Sequence, residues 1–161
     1  MSGPIKIWIC AAYSPVYRCG GWAYVRVAEG LVSGVAGGER NTSASRSALM
    51  GLVASLRNLP SGVAIEIQTT SPELAQFADV LGALATPTQS AAPTEDLDLW
   101  AQIMTASAGR RLSLAHAPLQ PGTPTAFAAA WADLARDKAK TAGAFSSAIP
   151  KPNLAKVSGL S

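Results

Sequence analysis

Alternation of apolar and polar side chains marks a half-buried strand, because successive residues point to opposite faces of a sheet. Ile5-Lys6-Ile7-Trp8-Ile9-Cys10 begins this way and is rich in β-branched residues, so it reads as a first strand. Ala11 to Cys19 contains Ser14-Pro15 and reads as a loop. Gly20 to Val27 reads as a second strand, Glu29-Gly30 as a tight turn, and Leu31 to Gly37 as a third strand weakened by Gly34. These three segments predict an antiparallel meander.

Beyond Gly37 the period changes. Leu49, Leu52, Val53 and Leu56 recur at helical spacing, with Thr42 or Ser43 placed to cap a helix that runs to about Asn58. Val63 to Thr69 alternates more clearly than any other segment and predicts a fourth strand. Ser71-Pro72-Glu73 opens a helix expected to reach about Leu84, since proline fits a first helical turn. Residues 85–94 read as a flexible loop, and Leu97 to Ser107 as a helix with Glu95-Asp96 at its start. Arg111 to His116 predicts a fifth strand. Thr125 to about Lys140 predicts a last helix with Phe127, Trp131 and Leu134 as its buried stripe. The order β-β-β-α-β-α-α-β-α implies an α/β domain: one five-stranded mixed sheet, an antiparallel meander plus parallel strands, flanked by helices. Residues 1–142 form this domain, and residues 143–161, with Pro150-Lys151-Pro152, read as an irregular C-terminal tail.

Composition narrows the class without naming a function. A chain of 161 residues with 48% hydrophobic content is expected to fold as one domain with a packed core. Only 14% of its residues are charged and the formal net charge is +3, which permits contact with nucleic acid but does not demand it. Two cysteines, Cys10 and Cys19, match no zinc pattern and no disulfide framework, so reduced thiols and a cytoplasmic location are expected. Met1-Ser2-Gly3-Pro4 leads straight into the first strand without a secretory pattern, and no apolar run reaches membrane-spanning length.

Several short motifs stand in a recognisable order. Gly20-Gly21-Trp22 opens the second strand, and Arg46-Ser47-Ala48-Leu49-Met50 starts the first helix. Thr69-Thr70-Ser71 ends the fourth strand, and Leu97-Asp98-Leu99-Trp100 begins a later helix. Ala115-His116-Ala117 and Ala132-Asp133-Leu134-Ala135-Arg136 follow. Together, over about residues 5–142, this set resembles the type 1 ribonuclease H family. The resemblance implies the ribonuclease-H-like fold. It also implies an ancestral activity, metal-dependent cleavage of the RNA strand of an RNA–DNA hybrid, in which four carboxylates hold two divalent ions. The positions that match those acids are Cys10, Ala48, Thr70 and Ala132, and none is a carboxylate. Asp133 stands one residue from the fourth, turned about 100° away on a helix.

The expectation is therefore a pseudo-enzyme with no catalytic residues, no metal site and no cofactor, kept as a binding or interaction module. Its partner is expected to be nucleic acid, an RNA–DNA hybrid or a duplex; the alternative is a protein partner or self-association through the Ala-rich helices between Pro72 and Ser107. A hybrid nuclease with a rearranged set of acids is the third reading. Candidate nucleic-acid contacts are Thr42, Ser43 and Arg46 at the start of the first helix, Arg110 and Arg111 with Lys138 and Lys140 as a phosphate-tracking patch, and His116. Set against these are plainer readings: a solvated basic face, a histidine with a structural hydrogen bond, a buried inert Cys10, and tryptophans at 8, 22, 100 and 131 that pack in the core.

Overall fold

The meander forms because the turns between its strands are built for it. In a computed structural model that describes residues 4–57, 59, 62–75, 96–107, 111–117, 120 and 122–157, β1 (Ile5–Ser14), β2 (Cys19–Ala28) and β3 (Leu31–Arg40) pair antiparallel. Glu29 and Gly30 both have positive φ, 52° and 78°, which suits the two-residue hairpin that sets Ala28 opposite Leu31. The strands are longer than the sequence pattern indicates. β1 continues through Ala11–Ser14 because β2 offers those residues Trp22, Gly21, Gly20 and Cys19 as partners. Pairing thus overrides the local loop signal of Ser14-Pro15.

The chain then crosses over through α1 (Ala44–Ser55) to β4 (Ala64–Thr69), which lies parallel to β1. Ser43 caps α1: its side-chain oxygen accepts the backbone N–H of Arg46 at 3.1 Å. α2 (Pro72–Ala75) begins where the sequence places a helix, and its expected course to Leu84, like the loop at 85–94, lies outside the described residues. α3 (Leu97–Ser107) leads to β5 (Arg111–His116), parallel to β4. α4 (Pro124–Ala142) follows, capped by the Thr123 hydroxyl.

The segment expected to be an irregular tail is part of the fold. β6 (Phe145–Ala148) adds antiparallel to β3, and α5 (Lys151–Leu154) follows it. The sheet therefore has six strands rather than five, in the order β5-β4-β1-β2-β3-β6. Ile149 and Leu154 are buried against the sheet, which supplies the physical reason: this stretch carries core residues that its proline content obscures.

Alternation divides the core into two layers. On one face Ile5, Ile7, Ile9, Trp22 and Tyr24 pack with Leu49, Leu52 and Val53 of α1 and Leu99, Trp100 and Ile103 of α3. On the other, Trp8, Cys10, Ala23, Val25 and Ala36 pack under α4. Here the expected stripe needs correction. Leu134 is 59% exposed, Phe127 and Trp131 are half-buried, and beyond Pro124 and Thr125 in the first turn the buried positions of α4 are Ala128, Ala132, Ala135 and Ala139. The cause lies in the strands beneath. A Cβ at Gly21 would collide with the backbone of α4 at Ala132, Ala135 and Arg136, and one at Gly38 would press on Ala135 and Ala139. Glycines below and alanines above let helix and sheet approach so closely that a bulkier stripe has no room. No helix among the described residues is long and apolar enough to cross a membrane.

Candidate functional site

The C-terminal ends of parallel strands are where α/β sheets usually carry chemistry, since loops diverge there and leave a crevice. In this chain Cys10 of β1, Thr70 after β4 and His116 of β5 meet along that edge. The register sets Ile9 beside Thr69 and Thr69 beside His116, and the Ala117 N–H donates to Thr69 O at 2.8 Å. Ser71 ties the edge together. Its Oγ accepts the Ala11 N–H at 2.9 Å and donates to the Ala11 carbonyl at 3.1 Å.

Cys10 is the centre of this row and is only 2% exposed. Its Sγ lies 3.1 Å from Thr70 Oγ1, and the thiol donates to the Thr125 carbonyl at 3.4 Å. With the thiol proton directed at a carbonyl, the Thr70 hydroxyl is left as donor to sulfur, and one consistent chain runs Thr70 to Cys10 to Thr125. Burial pushes the Cys10 thiol above its ordinary pKa, although hydrogen bonds from Thr70 oppose this. A neutral, enclosed thiol is a poor nucleophile.

Ala48 and Ala132 do not join this row as polar groups. Ala48 is fully buried in the layer under α1, and Ala132 is buried under α4 in the same cluster as Cys10. Asp133, on the next position of α4, points to solvent, where Arg136 Nη1 lies 3.6 Å from it. Among the described residues no group of three or more His, Cys, Asp and Glu side chains converges. His116 is exposed at the end of β5.

The α1 N-terminus holds the other candidates, and the side chains of Arg46 and Ser43 are engaged internally. Arg46 donates to Asp96 at 3.1 Å and, through both terminal nitrogens, to Asp98 at 3.1 and 2.9 Å; Glu39 stands 3.9 Å away. These contacts, with Asp98 foremost, raise the Arg46 pKa, and the Arg46 guanidinium holds the Asp98 carboxyl below the usual carboxylate range. Ser43 Oγ is occupied by the helix cap, and Thr42 Oγ1 is buried with no hydrogen-bond partner among the described residues. A bidentate Arg–carboxylate fork leaves little of the guanidinium to offer a phosphate.

The patch that would combine Arg110 and Arg111 with Lys138 and Lys140 falls partly outside the described residues. Arg110 and the Arg111 side chain lie outside the described residues, but Arg111 belongs to β5 at one edge of the sheet. Lys138 stands over Phe145 of β6 at the opposite edge. The tryptophans at 8, 22 and 100 are buried, as core packing requires, and Trp131 is half-buried against Phe127.

No protein-family model matches the sequence, and no curated protein does. Solved structures do. LC9-RNase H1, a type 1 RNase H with the type 2 active-site motif, superposes with a TM-score of 0.68 over 99% of this chain and 83% of its own, at 13% identity. The chain has the ribonuclease H fold. The N-terminal RNase H domain of rv2228c from Mycobacterium tuberculosis gives 0.64 over 86% of this chain and 96% of its own, at 16% identity. LC11-RNase H1 in complex with RNA/DNA hybrid gives 0.62 over 84% and 98%, also at 16% identity. Within a ribonuclease H fold, the residues that sequence reading missed are those that close the site. Thr125 contributes through its backbone carbonyl, which no motif encodes. Asp96 and Asp98 were visible as acids at a helix start, but their pairing with Arg46, fifty residues earlier, required the packing of α3 beside α1.

Proposed function

We propose that this chain is a non-hydrolytic ribonuclease-H-like module that binds nucleic acid without cutting it. The observation that carries the first half is the donor set at the four matched positions. Cys10, Ala48, Thr70 and Ala132 offer one enclosed thiol, one hydroxyl and two methyl groups. Magnesium takes oxygen ligands in octahedral geometry and sheds water reluctantly, so a pair of such ions needs several carboxylates. A thiol suits softer metals, and here its proton is held by a carbonyl. The residues present do not fit a divalent pair, and we derive no hydrolytic step. What supports the second half is the fold together with a neighbour, LC11-RNase H1, solved with an RNA/DNA hybrid.

The test is a cleavage assay on a labelled RNA–DNA hybrid with magnesium or manganese, run beside a binding titration at low salt. Binding without metal-dependent turnover is the expected result. Turnover that tracks the metal concentration refutes the first half, and absence of affinity for hybrid, duplex and single strands refutes the second. A protein-partner or self-association role is favoured by one separate observation: Leu97 and Met104 are exposed on α3, in the Ala-rich region the sequence analysis singled out. Light scattering that finds an oligomer, dispersed by Leu97→Ser with Met104→Ser, would support that reading.

A further inference from the structure

The end of the sheet beyond the candidate site carries two aromatic rings, each covered by a lysine. Lys140 Nζ lies 3.7 Å from the centroid of Tyr17, in the turn between β1 and β2, and Lys138 Nζ lies 4.5 Å from that of Phe145 in β6. Arg18 follows Tyr17 in the turn, and Arg40 ends β3 opposite Cys19. By alternation Arg40 shares the face of Ala36 and Gly38, which is the face that α4 covers. Arg18, Arg40, Lys138 and Lys140 are all exposed. The ion pairs among the described residues use only Arg46 and Arg136 as cations, so none of these four is paired there. These four cations frame this end of the sheet, Lys140 beside Tyr17 on one side of the buried Ala139 and Lys138 beside Phe145 on the other.

Lysines near a helix C-terminus are favourable in themselves, because they oppose the negative end of the helix dipole. That explains Lys138 and Lys140 but not Arg18 and Arg40, which come from a turn and a strand end. Tyr17 is 54% exposed although Lys140 covers one side of its ring. Beside it lies a cavity of about 270 Å³ lined by Tyr13, Ser14, Tyr17, Arg136, Asp137 and Lys140 among others. This is below the roughly 300–1,000 Å³ of pockets for whole small molecules, and it suits one base or one phosphate. Asp137 faces it as a hydrogen-bond acceptor whose charge is offset by Arg136 at 3.3 Å.

We infer that this surface, formed by the β1–β2 turn, the end of β3 and the C-terminal part of α4, binds single-stranded nucleic acid: Tyr17 stacks a base while Arg18, Arg40, Lys138 and Lys140 track the phosphates. The inference rests on the nucleic-acid reading above and moves the contact away from the α1 N-terminus, where Arg46 is already engaged. A stacking ring between backbone-tracking cations is the arrangement that recognises a strand without regard to sequence.

The experiment is a fluorescence-anisotropy titration of the full chain with labelled dT and rU oligonucleotides and an RNA–DNA hybrid, from about 50 to 200 mM salt. Four phosphate contacts on a single strand predict a slope of log K against log salt near −2.8, about a 50-fold loss over that range. Lys138→Gln with Lys140→Gln should halve the slope. Tyr17→Ala should weaken binding by about 5- to 150-fold, and Tyr17→Trp should restore it. All these side chains are exposed, and circular dichroism confirms that the fold persists. Single strands bound equally by the wild type, the double lysine variant and Tyr17→Ala would overturn the inference while leaving the nucleic-acid reading intact, as would binding confined to the hybrid. A wild type that binds none of the probes removes both. Equal affinity for polyglutamate, with no effect of Tyr17→Ala, would also overturn it, since the surface would then be a site for any polyanion.

Discussion

Returning a carboxylate to the first matched position should harm the protein rather than revive it. In Cys10→Asp the new side chain enters a site 2% exposed, with the Thr70 hydroxyl as a donor and the Thr125 carbonyl presenting an oxygen to it. Asp133 is near enough that its charge raises the Cys10 pKa, and it would act on a carboxyl in the same sense. Burial and Asp133 both push the new carboxyl's folded-state pKa well above its ordinary value, with the Thr70 hydrogen bond opposing them, and buried acids shift upward by up to about 3–5 units. The unfolded chain releases this proton near pH 3.9. Between those values the folded state binds more protons, so stability falls as pH rises. The penalty therefore grows from pH 5 to pH 7.5, toward a ceiling of about 4–7 kcal/mol at 1.36 kcal/mol per unit. Urea unfolding followed by tryptophan fluorescence, on wild type and variant at both pH values, reads this difference directly. A gap that does not widen with pH would refute the reasoning, because it would mean that the carboxylate is solvated or paired. So would a variant whose midpoint rises with millimolar magnesium.

Two further outcomes follow from the packing. Gly21→Ala sets a methyl against the α4 backbone at Ala132 and Arg136, where no side chain can rotate aside, and should cost about 1–3 kcal/mol in the same urea assay; a neutral result would show that α4 is free to retreat. Truncation after Ala144 removes β6 and the buried Ile149 and Leu154, worth about 1.5–3 kcal/mol each. The shortened chain should unfold at markedly lower urea and, with the β3 edge uncovered, associate in sedimentation experiments; an unchanged midpoint would return the segment to the status of a tail.

Much of the fold was legible because its signals are local. Ile5–Cys10, Ala64–Thr69 and Arg111–His116 show their strand periods without help, and Ser43 marks a helix start through the hydroxyl that caps it. The errors have one source in common: they concern residues whose environment is set by distant chain. Leu134 appears buried from its spacing on α4, but glycines at 21 and 38, a hundred residues earlier, decide how close that helix comes and so which positions fit. Phe145–Ala148 looks irregular next to Pro150, yet β3 presents a free edge and four consecutive residues pair with it. The candidate site divides the same way. The identities at 10, 48, 70 and 132 were plain, whereas the engagement of Arg46 by Asp96 and Asp98 depends on α3 lying beside α1.

These long-range effects bear on why the site is closed. The glycines of β2 and β3 and the alanines of α4 form one interface, and Ala132 belongs both to it and to the cluster around Cys10. A carboxylate at 132 would have to fit where a methyl group is 1% exposed and where the helix backbone already touches the strand. The closeness of α4 and the carboxylate-free character of positions 10 and 132 are thus a single structural fact. Acids restored at 10 and 132 together would meet as unsolvated like charges under a helix that has no room to move, and each would raise the pKa of the other. Opening the site would first require larger residues at 128, 135 or 139 to lift α4, which would expose the same core that now stabilises the fold.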